Sequence, residues 1–160
     1  MRANDYAALI EPAYRAYIER VNGWFPPEFA GQPLAAQRAR YDRMCAAFNI
    51  GRPAGVRVED DAIDLAGRAI PVRRYSTEAT PRAVIVYFHG GGFVFGGLDS
   101  HEDVCAELCA KTGFEIISAD YRLAPEHPHP GAFEDALAVF EHVATGVPVV
   151  LCGESAGGSV

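Results

Sequence analysis

A short apolar run that leads into a serine between small residues decides the fold: Val149-Val150-Leu151-Cys152-Gly153-Glu154-Ser155-Ala156-Gly157-Gly158. Residues 147–152 are predicted to form a strand, and residues 153–157 match G-x-S-x-G, the pattern of a sharp turn from strand to helix. Such a turn strains the backbone of the serine and lifts its hydroxyl clear of the sheet. The short pattern also occurs in purely structural turns, but the strand before it favours a nucleophile at Ser155.

The residues before this turn alternate between the strand and helix periods. An apolar run at 83–88 is typical of a strand buried on both faces of a parallel sheet. Helices are predicted at 103–111 and 132–144, with Phe133, Ala136, Leu137, Phe140 and Val143 on one apolar stripe, and a strand at 114–119 lies between them. This order predicts an open α/β sheet, mostly parallel and flanked by helices, with right-handed crossovers.

Shorter alternating segments precede that sheet. Val56 and Val58 alternate with polar residues, and residues 70–75 suggest a partner strand. Turn chemistry is predicted at Asp60-Asp61 and again at residues 66–68, on either side of a short apolar segment.

The first fifty residues predict two helices, at 11–21 and 34–48. Pro12 suits the first turn of the first helix, and Gly23 provides a stop. The simplest explanation of the apolar positions in these two helices is that the helices pack against the rest of the protein. The sharp change of pattern after residue 54 favours a small helical lid.

Composition excludes several classes of protein. The chain has 160 residues, 49% hydrophobic and 22% charged, with 14 basic and 21 acidic residues for a net charge of −7, which argues against a nucleic-acid partner. No apolar run approaches the roughly 20 residues of a membrane span, and the N-terminus has no apolar signal core. The cysteines are expected to be reduced, which predicts a cytoplasmic protein without zinc; they are Cys45, Cys105, Cys109 and Cys152.

A glycine loop follows the most apolar strand, in the sequence His89-Gly90-Gly91-Gly92-Phe93. Successive glycines leave backbone N–H groups unshielded, so that the loop can donate to an oxyanion together with the amide of Ala156. A phosphate-binding reading is weaker, because no G-x-x-x-x-G-K-[ST] pattern and no acidic residue in a ribose-binding role accompany the glycines.

A second irregular loop spans residues 120–130. His127 and His129 stand two apart and could in principle ligate a metal, but no carboxylate or cysteine sits at ligand spacing. A structural role is favoured, in which Arg122 and Glu126 hold the loop by ionic hydrogen bonds.

Three motifs in this order resemble the hormone-sensitive-lipase branch of the α/β-hydrolase fold: HGGGF at 89–93, DYRLAPEHP at 120–128 and GESAGG at 153–158. The two N-terminal helices match the cap of that branch in position. The resemblance implies a helical cap region at 1–54 and the N-terminal part of a catalytic domain at 55–160.

The resemblance also implies roles for single residues. Ser155 would be the nucleophile, and His89 would brace the glycine loop. The backbone amides of the oxyanion hole would come from Gly90, Gly91, Gly92 and Ala156. Glu154 stands where the family commonly has Asp, and the charge is kept. No metal and no cofactor are implied.

The implied substrates are small-molecule esters with short or medium acyl chains. The cap could line the substrate pocket with Tyr14, Tyr17, Trp24 and Phe25. Amide deacylation uses the same machinery and stays open, and so does a homo-oligomer.

The triad of this family runs serine, acid, histidine along the chain. The acid and the histidine are therefore expected beyond residue 160, in about 100 further residues at roughly 30 per strand–helix unit. Those residues would belong to the same polypeptide or to a separate chain, and the 160 residues alone are expected to be inactive. A ligand-binding receptor on the same fold and a non-functional fragment are the alternatives to a serine carboxylesterase.

Overall fold

The computed structural model describes residues 10–65 and 67–160. The chain divides into two compact units, one that ends at Met44 and one that runs Cys45–Val160. The predicted division into a cap region at 1–54 and a catalytic domain at 55–160 stays a prediction.

The first unit is helical, as predicted. Helix α1 spans Pro12–Asn22, with the proline in its first turn, and Gly23 follows it. Helix α2 spans Leu34–Phe48 and continues past the unit boundary. The connector between them is tied by the guanidinium of Arg40, whose NH1 donates to the carbonyl oxygen of Trp24 at 3.2 Å.

The second unit is built on a five-stranded sheet in the order β1-β2-β4-β3-β5. The strands are β1 Arg57–Leu65, β2 Arg68–Ser76, β3 Val84–Phe88, β4 Glu115–Ala119 and β5 Val149–Gly153. Strands β1 and β2 form an antiparallel hairpin, and β2 pairs antiparallel with β4. Strand β3 pairs parallel with both β4 and β5. The predicted fold is confirmed, with a sheet that is mixed rather than mostly parallel in this part of the chain.

Strand β3 lies at the centre and is buried along its whole length. Its side chains alternate between the two faces of the sheet, as the period of a strand requires. Val84, Val86 and Phe88 join the core that holds Val139 of helix α4, Gly131–Val143. Ile85 and Tyr87 join the core that holds Cys105 and Cys109 of helix α3, Glu102–Thr112. The sheet is therefore covered by a helix on each face.

The turn predicted at Asp60-Asp61 is wrong, because both residues lie inside β1. Their carboxylates bind arginines of the neighbouring strand instead. Asp60 Oδ1 accepts from Arg73 Nε at 2.5 Å, and Asp61 Oδ2 accepts from Arg74 Nε at 3.1 Å. Cross-strand pairs of opposite charge stabilise an antiparallel hairpin, which outweighs the turn propensity of the two aspartates.

The apolar stripe predicted for α4 is also corrected. Val139 and Val143 are buried, whereas the side chains of Phe133 and Leu137 are 52% and 44% exposed. The helix thus carries apolar residues on two faces, and Phe133 and Leu137 line an open pocket together with Leu151 of β5. Among the described residues, no helix is long and apolar enough to cross a membrane.

Candidate active site

The predicted sharp turn after β5 is present. Strand β5 ends at Gly153, Glu154 is extended, and a short 3-10 helix spans Ser155–Ser159. Ser155 is exposed and has a φ of 51°. A side chain other than glycine at positive φ is strained, and this conformation presents the hydroxyl at the carboxyl end of the sheet.

Two glycines allow the turn to close, as the sequence predicts. A β-carbon at Gly153 would lie 2.2 Å from the carbonyl oxygen of Gly157. A β-carbon at Gly157 would lie 2.0 Å from the carbonyl oxygen of Phe88, the last residue of β3. The turn, residues 153–157, is hereafter the elbow.

The glycine loop, residues 89–93, begins beside the elbow because β3 and β5 end in register, with Phe88 opposite Gly153. Gly91 has a φ of 124°, and its carbonyl oxygen accepts from the amides of Val94 and Phe95. These bonds fold the loop back on itself, so that its amide groups are held by local structure.

Some of the predicted oxyanion donors are free in this structure. Within residues 10–65 and 67–160, the amides of Gly91, Gly92 and Ala156 donate no hydrogen bond. The amide of Gly90 differs, because it donates to Oε1 of Glu154 at 3.1 Å. Gly90 is therefore engaged, and it cannot serve as an oxyanion donor while this contact persists.

The predicted bracing role of His89 has a clear geometric basis. Its ring is fully buried, and Nδ1 lies 2.7 Å from the carbonyl oxygen of Gly90. The ring stacks on Tyr121, with centroids 4.4 Å apart, and the Tyr121 hydroxyl donates to the backbone carbonyl of His89 at 2.5 Å. Burial lowers the pKa of His89 to about 4, so the ring is neutral at pH 7 and Nδ1 carries the donated proton.

Sequence reasoning missed a contact between His101 and Glu154. His101 immediately precedes helix α3, and its Nε2 lies 2.9 Å from Oε1 of Glu154, the residue before Ser155. The only sequence signal was the position of an acidic residue inside the elbow, and nothing local connects it to a histidine 53 residues earlier.

The loop at 120–130 is anchored by Arg122, in agreement with the role predicted for that residue, whereas the role predicted for Glu126 stays a prediction. The acidic partners lie on α4: Arg122 Nε donates to the buried carboxylate of Asp135 at 3.0 Å, and NH2 donates to Glu134 at 2.8 Å. Asp135 also accepts from Arg68 of β2. This buried carboxylate joins three elements, and sequence reasoning did not identify it.

His127 and His129 are both exposed in this loop. Across the described part of the chain, no three histidine, cysteine or acidic side chains converge as they would for a metal ion. Both histidines line a cavity of about 370 Å³, which also contacts Gly92 and Phe93 of the glycine loop and Phe133 of α4. The cavity therefore opens beside Gly92 of the glycine loop.

Comparison with known proteins supports the fold described above. A family model described as an alpha/beta hydrolase fold matches residues 85–160. The carboxylic ester hydrolase LipN of Mycobacterium tuberculosis (strain ATCC 25618 / H37Rv) is 39% identical over 79% of this chain and 36% of its own length. The ethyl acetate hydrolase of Pseudomonas putida is 37% identical over 94% of this chain and 53% of its own length.

Solved structures of ester hydrolases share the fold of this chain. An ester hydrolase from the metagenome of Lake Arreo, in complex with a derivative of bipyridine phosphonate, superposes with a TM-score of 0.82 at 30% identity, over 94% of this chain and 52% of its own. An esterase of the archaeon Pyrobaculum calidifontis gives a TM-score of 0.81 at 30% identity, over 93% and 50%. The chain thus spans about half the length of these structures.

Proposed function

We propose that the chain belongs to the hormone-sensitive-lipase-like esterases of the α/β-hydrolase fold, and that it supplies the nucleophile and the oxyanion hole of a carboxylic ester hydrolase. One observation carries the proposal. Ser155 stands exposed at φ 51° after β5, beside a glycine loop in which the amides of Gly91 and Gly92 have no partner in the described structure.

In the proposed reaction, Ser155 Oγ attacks the ester carbonyl carbon while a histidine base takes the hydroxyl proton. The carbonyl oxygen becomes an oxyanion and accepts hydrogen bonds from the amides of Gly91, Gly92 and Ala156. The alcohol leaves with the proton from the histidine, and an acyl-enzyme forms on Ser155. Water then attacks that acyl group, with the histidine again as base, and releases the carboxylic acid. Each fixed amide donor of this kind accelerates acyl transfer by about 100-fold to 1000-fold.

The histidine and its acidic partner are proposed to lie in the part of the protein that this chain does not span. The family order puts both after the serine, and the chain covers about half of the matched structures. The 160 residues alone are therefore proposed to hydrolyse no ester at a useful rate, because a serine hydroxyl without a general base is a weak nucleophile.

The substrate is proposed to be a small ester with a short or medium acyl chain. The cavity of about 370 Å³ beside Gly92 has apolar walls at Phe93 and Phe133, and its volume falls at the lower end of small-molecule sites. An acyl or alcohol group held there would keep the carbonyl near the glycine loop. The proposed location is the cytoplasm, because the four cysteines form no disulfide in the described structure, as expected in a reducing compartment.

The test is hydrolysis by the complete protein that contains this chain. We expect turnover of p-nitrophenyl acetate and butyrate, and loss of turnover by at least about 1000-fold in Ser155→Ala, since removal of the nucleophile leaves only binding and oxyanion stabilisation. The matched anilides test amide deacylation on the same site. Binding of these esters without turnover would indicate a receptor, and equal rates for wild type and Ser155→Ala would contradict the proposal.

A further inference from the structure

We propose that His101 is a positioning residue that fixes the elbow against the glycine loop, by holding the carboxylate of Glu154 on the amide of Gly90. This inference rests on the proposed function and adds a residue to it. It assigns a role to a histidine that no motif of the sequence singled out.

The first step is the shared acceptor. Oε1 of Glu154 accepts from Gly90 N at 3.1 Å and lies 2.9 Å from His101 Nε2. Glu154 is adjacent to Ser155, and Gly90 is adjacent to the proposed donor Gly91. One carboxylate oxygen therefore connects the two backbone segments whose spacing must match a tetrahedral oxyanion.

The second step is the proton on His101. Its Nδ1 lies 2.8 Å from the hydroxyl of Ser100, which also contacts the carbonyl oxygen of Gly97 at 2.8 Å and accepts from the amide of Gly97. An ionised carboxylate only accepts, so Nε2 must carry a proton for the bond to Glu154, whichever way the Ser100 hydroxyl points. The imidazole is thus a fixed donor to Glu154.

The third step is the rigidity of the ring. The side chain of His101 is only 12% exposed, and its ring stacks on His89 with centroids 5.8 Å apart. His89 in turn stacks on Tyr121. His101 also directly precedes α3, so the helix holds its backbone while the stacked rings hold its side chain.

A role in folding stability explains this arrangement less well. The side chain of Glu154 is 55% exposed, and exposed ion pairs contribute little to stability. Misplacement of reacting groups by about 1 Å, in contrast, costs about 100-fold in rate. Loss of the contact should therefore slow acylation of Ser155 far more than it lowers the melting temperature.

The test uses the complete protein, four single variants at the contact, one double variant and one control, with rates of phosphonylation at Ser155, kcat, KM and melting temperature as readouts. His101→Asn places its amide near the Nδ1 position and loses the donor to Glu154, whereas His101→Gln can reach the Nε2 position and restore it. Glu154→Ala removes the acceptor, and Glu154→Gln keeps an oxygen acceptor of the same length.

We expect His101→Asn and Glu154→Ala to lower kcat and the phosphonylation rate by about tenfold to 100-fold with little change in KM. His101→Gln and Glu154→Gln should recover most of the rate. The double variant, which combines His101→Asn with Glu154→Ala, should be no slower than the slower of the two single variants, as expected for residues that act through one contact. Glu107→Gln, which removes a partly exposed carboxylate paired with Lys111 on α3, controls for the loss of surface charge.

If the wild-type protein hydrolyses esters and His101→Asn and Glu154→Ala have unchanged rates, the positioning role is overturned and the proposed function is not. Faster turnover in Glu154→Ala would also overturn the positioning role, since it would mean that the carboxylate withholds the Gly90 amide from the oxyanion. If His101→Asn fails to fold, the two variants at the exposed residue Glu154 test the positioning role. A wild-type protein that neither hydrolyses esters nor reacts with the phosphonate would overturn the proposed function, and this inference with it.

Discussion

The α-carbon of Gly157 faces the carbonyl oxygen of Phe88 so closely that a β-carbon there would come within 2.0 Å of it. This contact holds the elbow against the end of the central strand, at the point where the glycine loop begins. The distance between Ser155 and the proposed oxyanion donors is therefore set mainly by backbone atoms.

Replacement of Gly157 should disrupt this arrangement. In Gly157→Ala the new methyl group meets a backbone oxygen that cannot rotate away, so the elbow or the end of β3 must shift. We expect destabilisation by about 1–3 kcal/mol, the usual cost of overpacking, and loss of ester hydrolysis. The measurements are the free energy of unfolding in urea and the rate with p-nitrophenyl butyrate.

Gly158→Ala is the matched control for that substitution. A β-carbon at Gly158 would lie 3.4 Å from its nearest neighbour, the carbonyl oxygen of Gly153, which is ordinary contact. Its unfolding free energy should stay within about 0.5 kcal/mol of wild type. Equal stability of Gly157→Ala and Gly158→Ala would show that the close approach to Phe88 does not constrain the elbow.

The buried ring of His89 predicts a dependence of stability on pH. Burial lowers its pKa from 6.5 to about 4, so between these values the unfolded chain binds a proton that the folded protein does not. The contribution of His89 to the free energy of unfolding therefore rises with pH between about 4 and 6.5 and is constant above about pH 6.5. From pH 7 to pH 5 the contribution of His89 falls by about 2 kcal/mol, at 1.36 kcal/mol per pKa unit.

Urea unfolding of the wild type and of His89→Asn at both pH values checks this contribution. Asparagine keeps an amide donor near the Nδ1 position without a titratable ring. The drop in unfolding free energy from pH 7 to pH 5 should be smaller in the variant by about 2 kcal/mol. The same drop in both proteins would contradict the neutral, buried His89.

Asp135 should be the most costly carboxylate to neutralise. Its side chain is 1% exposed and binds both Arg122 and Arg68. Asp135→Asn leaves two guanidinium groups without their buried counter-charge, and we expect a loss of about 3–5 kcal/mol. Glu134→Gln is the control, because Glu134 binds the same Arg122 but is 54% exposed and should cost less than about 1 kcal/mol. Similar costs for both variants would refute the structural role of Asp135.

The 160 residues expressed alone should self-associate through β5. Leu151 and Val150 are 57% and 44% exposed there, and within the described sheet β5 pairs only with β3. Exposed apolar edges favour pairing between chains, so Leu151→Lys should lower the mass measured by light scattering. Thr145→Lys, at an exposed position off the strand, should not. If the wild-type chain of 160 residues is monomeric, the exposed edge at β5 does not drive self-association.

Local sequence patterns predicted the helices, strands β2 to β5 and the sharp turn at Ser155, because each depends on the period or the turn chemistry of a few neighbouring residues. These patterns did not predict contacts between residues that are far apart in the sequence. Asp60 and Asp61 have the composition of a turn, yet arginines 13 residues away keep them in a strand. The contacts of Arg68 with Asp135 and of His101 with Glu154 span 67 and 53 residues, and no local pattern encodes them.

The central claim is that Ser155 is a nucleophile, and an organophosphonate tests it most directly. The complete protein is incubated with the reagent, its intact mass is measured, and the modified peptide is identified, with Ser155→Ala in parallel. The account predicts one adduct per chain, on the peptide that contains Ser155, and none in Ser155→Ala. A folded wild-type protein that gains no mass, or that carries the adduct on another residue, would contradict it.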